Sequence, residues 1–185
     1  AASETVGGIS ANNSGEIASC YFYGTVSGTT AGGVTAWNNG KITDCAAVGT
    51  SEFTATDLAG GISAENSGEI KNVFVSANIT AERTVIINDG TVNGYYDKAG
   101  YAGETSGNGF SINDFSTVAS GDGFVTASGY FPFVKAIYEH SSGFGNDIKN
   151  AFSVSEYAEV TVGSEKIYQR RGLKTDLPAP SKAGY

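Results

Sequence analysis

At 185 residues the chain is long enough for one large domain or two small ones, and it can bury a sizeable core. A net charge of −8, with only eleven Lys and Arg in all, excludes a phosphate-backbone partner and disfavours docking on anionic lipid, so neither nucleic acid nor a membrane surface is an expected partner. Hydrophobic residues make up 40% and charged residues only 16%, which excludes disorder, and 26 glycines with three prolines point to an all-β chain rich in turns.

No apolar run approaches the ~20 residues that span a bilayer, so no membrane insertion is expected within these residues. The N-terminus has no basic-then-apolar leader, and the chain contains no Met, even at position 1. We therefore expect a segment excised from a longer protein.

From the N-terminus onward the chain repeats itself. Gly7-Gly8-Ile9-Ser10-Ala11-Asn12-Asn13-Ser14-Gly15-Glu16-Ile17 aligns without a gap on Gly32-Gly33-Val34-Thr35-Ala36-Trp37-Asn38-Asn39-Gly40-Lys41-Ile42. A third copy is Gly60-Gly61-Ile62-Ser63-Ala64-Glu65-Asn66-Ser67-Gly68-Glu69-Ile70. A degenerate fourth keeps only Asn88-Asp89-Gly90-Thr91-Val92, with Arg83-Thr84 where the Gly-Gly pair is expected. The Asn anchors at 13, 38, 66 and 88 lie 25, 28 and 22 residues apart. That period is too short for a domain and suits one coil of a solenoid, whose apolar face is buried only by the next coil. The fold class expected is all-β: a parallel β-helix or β-solenoid of about four coils, with a C-terminal β-rich capping region.

The repeat chemistry supports this. Asn-x-Gly is turn chemistry, with Gly accepting positive φ, and Gly-Gly lets the chain bend where a Cβ would clash. Asn13, Asn38, Asn66 and Asn88 are expected to form a structural ladder of side-chain amides. Ile17, Ile42, Ile70 and Val92 should stack as one inward column, and Ile9, Val34 and Ile62 as a second. Cys20 and Cys45, with Val73 and Tyr95, follow three residues past the first column. Two cysteines are too few for a disulfide framework and lack zinc spacing; in-register strands would hold their Cβ atoms near ~4.8 Å, longer than a disulfide wants, so two stacked, unbonded thiols filling apolar slots are expected.

Gly-Gly-Ile-Ser-Ala-x-Asn-Ser-Gly-Glu-Ile followed by a Cys-Tyr strand resembles the GLUG repeat, over about residues 6–100. The resemblance implies a bacterial cell-surface protein, such as a large adhesin or the non-catalytic region of an IgA-peptidase-like protein. It thereby implies an extracellular setting, a scaffold without catalytic residues, and neighbouring modules in the same parent chain.

We divide the chain into residues 1–100, the GLUG-type β-solenoid; 101–170, the capping region; and 171–185, a linker to a following module. Residues Gly103 to Gly109 are connector-like, and Phe110 to Val134 is aromatic-rich, fit to cover the open end of a solenoid. Val160 and Val162 alternate within Tyr157 to Ile167, which suggests a strand. The tail from Thr175 to Tyr185 is similar to the opening of a Listeria–Bacteroides repeat.

Candidate chemistry is sparse, and we expect no enzyme, cofactor or metal. The single histidine, His140, lies in a polar stretch and reads as a solvated loop residue. No HExxH is present. Glu16, Lys41 and Glu69 share one column, which keeps a carbohydrate-active β-helix (a polysaccharide lyase or glycosidase) as the alternative, although exposed alternating charge ordinarily serves solubility. Asn88-Asp89-Gly90 and Gly121-Asp122-Gly123 lack the regular oxygen spacing of a calcium loop and read as turns. Trp37, aligned with Asn12 and Glu65, is expected to face water as a candidate ligand-binding residue for a host glycan or protein. Tyr21, Phe74 and Tyr96 form a second candidate stripe if Cys20 points inward; slipped by one residue, they belong to the core. The favoured function is a non-catalytic structural or adhesive segment.

Overall fold

The structure, a computed structural model, describes residues 4–48, 51–97, 104–105, 107–110, 123–127, 130–140, 152–153, 157–162 and 165–170. The linker expected at 171–185 lies outside the described residues, as do Gly121 and Asp122.

Three parallel sheets wrap one interior, with strands numbered in chain order. The first contains β1 (Thr5–Gly7), β5 (Thr25–Gly32), β8 (Glu52–Gly60), β12 (Arg83–Ile87) and β14 (Glu104–Thr105), with β11 (Asn78–Thr80) also pairing β8. The second contains β2 (Ser10–Asn13), β6 (Thr35–Asn38) and β9 (Ser63–Asn66). The third contains β3 (Glu16–Ala18) and β4 (Tyr21–Phe22), both on β7 (Lys41–Ala47), then β10 (Glu69–Val75), β13 (Val92–Asp97) and β15 (Asn108–Phe110). The first three circuits visit the sheets in that order and the fourth passes from β12 to β13 with no strand in the second, giving a β-solenoid of about four turns.

The glycines act mainly by letting backbones approach. A Cβ on Gly32 would collide with the Thr35 carbonyl, and one on Gly33 with the Gly61 carbonyl of the next coil; Gly7-Gly8 meets the same obstacles. The Asn-x-Gly glycines correct an expectation. Among described residues the glycines at positive φ are Gly24, Gly90 and Gly123, so Gly15, Gly40 and Gly68 do not need that freedom. Instead, a Cβ on Gly68 would strike the Gly40 carbonyl and one on Gly40 the Gly15 carbonyl. Coil-to-coil spacing demands the residue there.

Positive φ occurs elsewhere in each coil. Ser19, Asp44, Asn72 and Asn93 all sit at φ of 52–53°, a region that short polar side chains tolerate best. They form a column two residues past Ile17, Ile42 and Ile70. The Asn72 amide donates to Asp44 Oδ1 at 2.9 Å, and the Asn93 amide donates to Asn72 Oδ1 at 3.0 Å.

This column exposes a register error in the sequence alignment. The last step is 21 residues, and Lys71 pairs with Val92, Val73 with Gly94 and Phe74 with Tyr95. Thr91 therefore stands beside Ile70, while Val92 points to solvent at 52% exposure and is not a member of the buried column. The missing residues are those of the second sheet, which ends at β9 because the fourth coil has no Gly-Gly-Ile-Ser segment to continue it. Val34 and Ile62 stack fully buried as expected, but Ile9 is 40% exposed because no described coil covers the first one.

Inside, Val34, Ile42, Cys45, Ile62, Ile70, Val73, Val75, Ile86 and Ile87 make one apolar cluster, with Ile17 and Cys20 half-buried against it. A second cluster contains Val26, Ala47, Phe53 and Ala59. Full burial of each such aliphatic or aromatic side chain contributes about 1.5–3 kcal/mol.

The C-terminal region lies along the flank of the third sheet. Ala46, Phe74 and Tyr95 pack with Phe124, Phe131, Phe133, Val134 and Phe152 in one buried cluster, and Tyr21 lies against it. Tyr21 meets Phe152 edge-on at 5.1 Å between centroids, Phe74 meets Phe131 at 5.7 Å, and Tyr95 meets Phe124 at 6.4 Å. This covering unit contains β16 (Phe124–Val125) antiparallel to β17 (Phe133–Val134), and a short helix, α1 (Lys135–His140). His140 therefore ends a helix, where a loop was expected. The strand expected within Tyr157 to Ile167 is two: β18 (Tyr157–Val162) pairs antiparallel with β19 (Glu165–Arg170).

Candidate functional site

The second sheet presents the site. Its inward positions hold a ladder: the Asn13 amide donates to Asn38 Oδ1 and the Asn38 amide to Asn66 Oδ1, both at 2.7 Å. Each also reaches into the turn, with Asn13 Nδ2 donating to the Lys41 carbonyl at 3.0 Å and Asn38 Nδ2 to that of Glu69 at 3.3 Å. Asn88 is buried, but it lies beyond the last strand of this sheet, in a turn where the Thr91 N–H donates to its carbonyl at 3.3 Å and Gly90 takes φ of 75°. Turn chemistry accounts for Asn88-Asp89-Gly90, and no cluster of three or more His, Cys, Asp or Glu with metal-binding geometry occurs among the described residues.

A second set of bonds repeats within each strand of this sheet, from a hydroxyl to the carbonyl two residues on. The hydroxyls of Ser10, Thr35 and Ser63 donate to the carbonyls of Asn12, Trp37 and Glu65, at 2.8, 3.0 and 2.6 Å. With Ala36 and Asn38 buried on the inside, alternation turns Trp37 out.

Trp37 is 40% exposed on the central strand, with Asn12 beside it on β2 and Glu65 on β9, register partners of the same row. Trp37, Asn39, Glu65 and Ser67 line an open depression of about 250 Å³. An indole face bordered by an amide, a hydroxyl and a carboxylate can stack a flat apolar surface while polar groups hold its rim.

The other candidate stripe is placed differently from either alternative the sequence left open. Tyr21, Ala46, Phe74 and Tyr95 share a row, pointing away from the solenoid interior, but the C-terminal phenylalanines cover them and Phe74 is wholly buried. Tyr96 is out of this row: it pairs with Val75 and packs half-buried against the interior. These residues are therefore an internal contact, and Tyr21, Phe74 and Tyr96 do not present a shared surface to a ligand.

Glu16, Lys41 and Glu69 do align across β3, β7 and β10. Lys41 Nζ lies 3.4 Å from Glu16 Oε1, with both side chains about half exposed, a solvated pair of small energetic weight. Cys20 and Cys45 are free thiols. Cys45 donates to the Thr43 carbonyl at 3.1 Å, and burial pushes its pKa up to about 12, which keeps it protonated and unreactive near neutrality.

Set against protein-family models, curated proteins and solved structures, the chain matches none. The site stands on its own geometry.

Sequence reasoning found Trp37 and its neighbours because the first three copies align without a gap. It missed the Asp44–Asn72–Asn93 ladder, although a run of Ser, Asp and Asn at one repeat position was the signal for it.

Proposed function

We propose that the chain is a non-catalytic binding segment of a bacterial cell-surface protein, acting outside the cell and contacting a glycan through the face that carries Trp37. The observation that carries this reading is an exposed indole on a rigid central strand, rimmed by Asn39, Glu65 and Ser67. A large apolar side chain left in water amid polar neighbours gains when a sugar ring stacks on it. The likeness of the repeat to GLUG supports the surface setting, with neighbouring modules in the same parent chain.

The chain contains a single Trp, so its intrinsic fluorescence reports this face alone. Titration with a panel of neutral, acidic and amine-bearing oligosaccharides is expected to shift the emission for at least one class. Trp37→Ala is expected to abolish binding in calorimetry while leaving the melting temperature close to that of the parent, because the ring is exposed. Absence of heat and spectral change across the whole panel sinks the proposal. Release of reducing or unsaturated ends from a bound oligosaccharide supports the lyase or glycosidase reading instead.

A further inference from the structure

We propose that the Trp37 face selects an ammonium-bearing sugar, such as a glucosamine oligomer, over its neutral N-acetylated counterpart. This rests on the binding role proposed above and adds the charge of the ligand.

The argument begins with which charges surround the indole. Glu65 is the register partner of Trp37 on the neighbouring strand, so the two Cα atoms sit about one strand spacing, ~4.8 Å, apart with both side chains on the outer face. The other lining residues, Asn39 and Ser67, are neutral, and so is Asn12 on the far side. The ion pairs among the described residues are Lys41–Glu16, Arg83–Asp57 and Lys135–Glu139, and Glu65 is in none of them. Arg83 feels the charge of Glu65, but both its Nε and its Nη2 donate to Asp57 Oδ1, at 3.1 and 2.9 Å. The Glu65 carboxylate therefore borders the depression without a bonded counter-ion.

An indole face and a carboxylate side by side both attract positive charge: the ring through its quadrupole, the carboxylate through its full charge. A phosphate, sulfate or uronate would meet repulsion at Glu65, and the overall charge of −8 adds to it. A neutral sugar gains stacking but leaves Glu65 with only hydroxyl donors. A sugar carrying an ammonium group stacks its ring on Trp37 and directs N–H donors at Glu65, so both features are used at once. The second sheet also ends at β9, so the Glu65 side of the depression has no further strand of that sheet beside it.

The test uses the full chain, tryptophan fluorescence and calorimetry, in mildly acidic buffer where sugar amines are protonated. The probes are a glucosamine tetramer, its fully N-acetylated form and trilysine. The glucosamine tetramer is expected to bind about three- to tenfold more tightly than the acetylated form. Glu65→Gln, an isosteric change at an exposed position, is expected to erase that preference by weakening the glucosamine tetramer to the affinity of the acetylated form. Added salt is expected to weaken only the amine-bearing sugar. Equal binding of the two tetramers, or a preference that survives Glu65→Gln, overturns the ammonium assignment while leaving glycan binding in place. Trilysine binding as tightly as the glucosamine tetramer overturns the sugar assignment in favour of a basic peptide. Silence from both tetramers overturns this inference, while binding of another oligosaccharide class through Trp37 leaves the proposed function standing.

Discussion

Asn38→Ala probes what the buried amide ladder contributes. Asn38 is 1% exposed, accepts from Asn13, and donates to Asn66 Oδ1 and the Glu69 carbonyl. Each such bond contributes about 1 kcal/mol net, and the Glu69 carbonyl loses a side-chain partner in the interior. Together with the small void left by the amide, the cost is about 2–4 kcal/mol. For a chain of this size 1 kcal/mol moves the melting temperature by ~2–4 °C, so a fall of roughly 5–15 °C is expected. Asn39→Ala is the control, since Asn39, next in the chain, is exposed and its loss should move stability by no more than ~0.5 kcal/mol. Thermal melts followed by far-ultraviolet circular dichroism, with urea titrations for free energy, decide the matter. If the two variants melt together, or Asn38→Ala melts within ~1 °C of the parent, the ladder is not supporting the stack and the reasoning fails.

Ile42→Ala should cost about 2–5 kcal/mol in urea unfolding, because Ile42 is fully buried between Ile17 and Ile70. Val92→Ala, at a position wrongly placed in the same column by sequence, should cost under ~0.5 kcal/mol. In native alkylation at pH ~8, Cys20 should react well before Cys45, with both reacting once denatured; equal native rates would contradict the burial of Cys45. The same shift has a sign in stability. The unfolded thiol ionises above ~8.5 while the folded one holds its proton up to about 12, so stability contributed by Cys45 falls as pH rises through that window, and Cys45→Ser should flatten the decline. Phe133→Ala should free the covering segment from the third sheet, seen as faster proteolysis between residues 123 and 153 while solenoid amides stay protected from exchange.

Much of the solenoid was legible because its determinants are local and repeated. Asn13, Asn38 and Asn66 recur with Gly two residues later, and Ile17, Ile42 and Ile70 follow at a constant offset. The fourth coil was misread because Val92 looks like the next apolar residue at that offset. The true marker was Asn93, a polar residue able to hold positive φ in line with Ser19, Asp44 and Asn72. The fate of Tyr21 and Phe74 was not legible, since it depends on Phe131 and Phe152, which are far along the chain and carry no repeat to align them. For the same reason the covering region was expected at the open end rather than on the flank. Trp37 was legible because its exposure follows from the polarity of Asn12 and Glu65 in adjacent coils.

The aromatic seam along the third sheet changes how the rod should come apart. A stack in which each coil touches only its neighbours melts from the ends inward, one coil at a time. Here Phe152 grips Tyr21 in the first coil, Phe131 grips Phe74 in the third, and Phe124 grips Tyr95 in the fourth. The covering segment is thus a lateral strap that ties the first coil to the last through long sequence separations. Fraying at the N-terminal coil has to break this seam as well as the local strand pairs, so the strap makes its loss an event shared with distant coils. Under tension such a rod should resist as a unit and then yield abruptly, in place of paying out chain coil by coil.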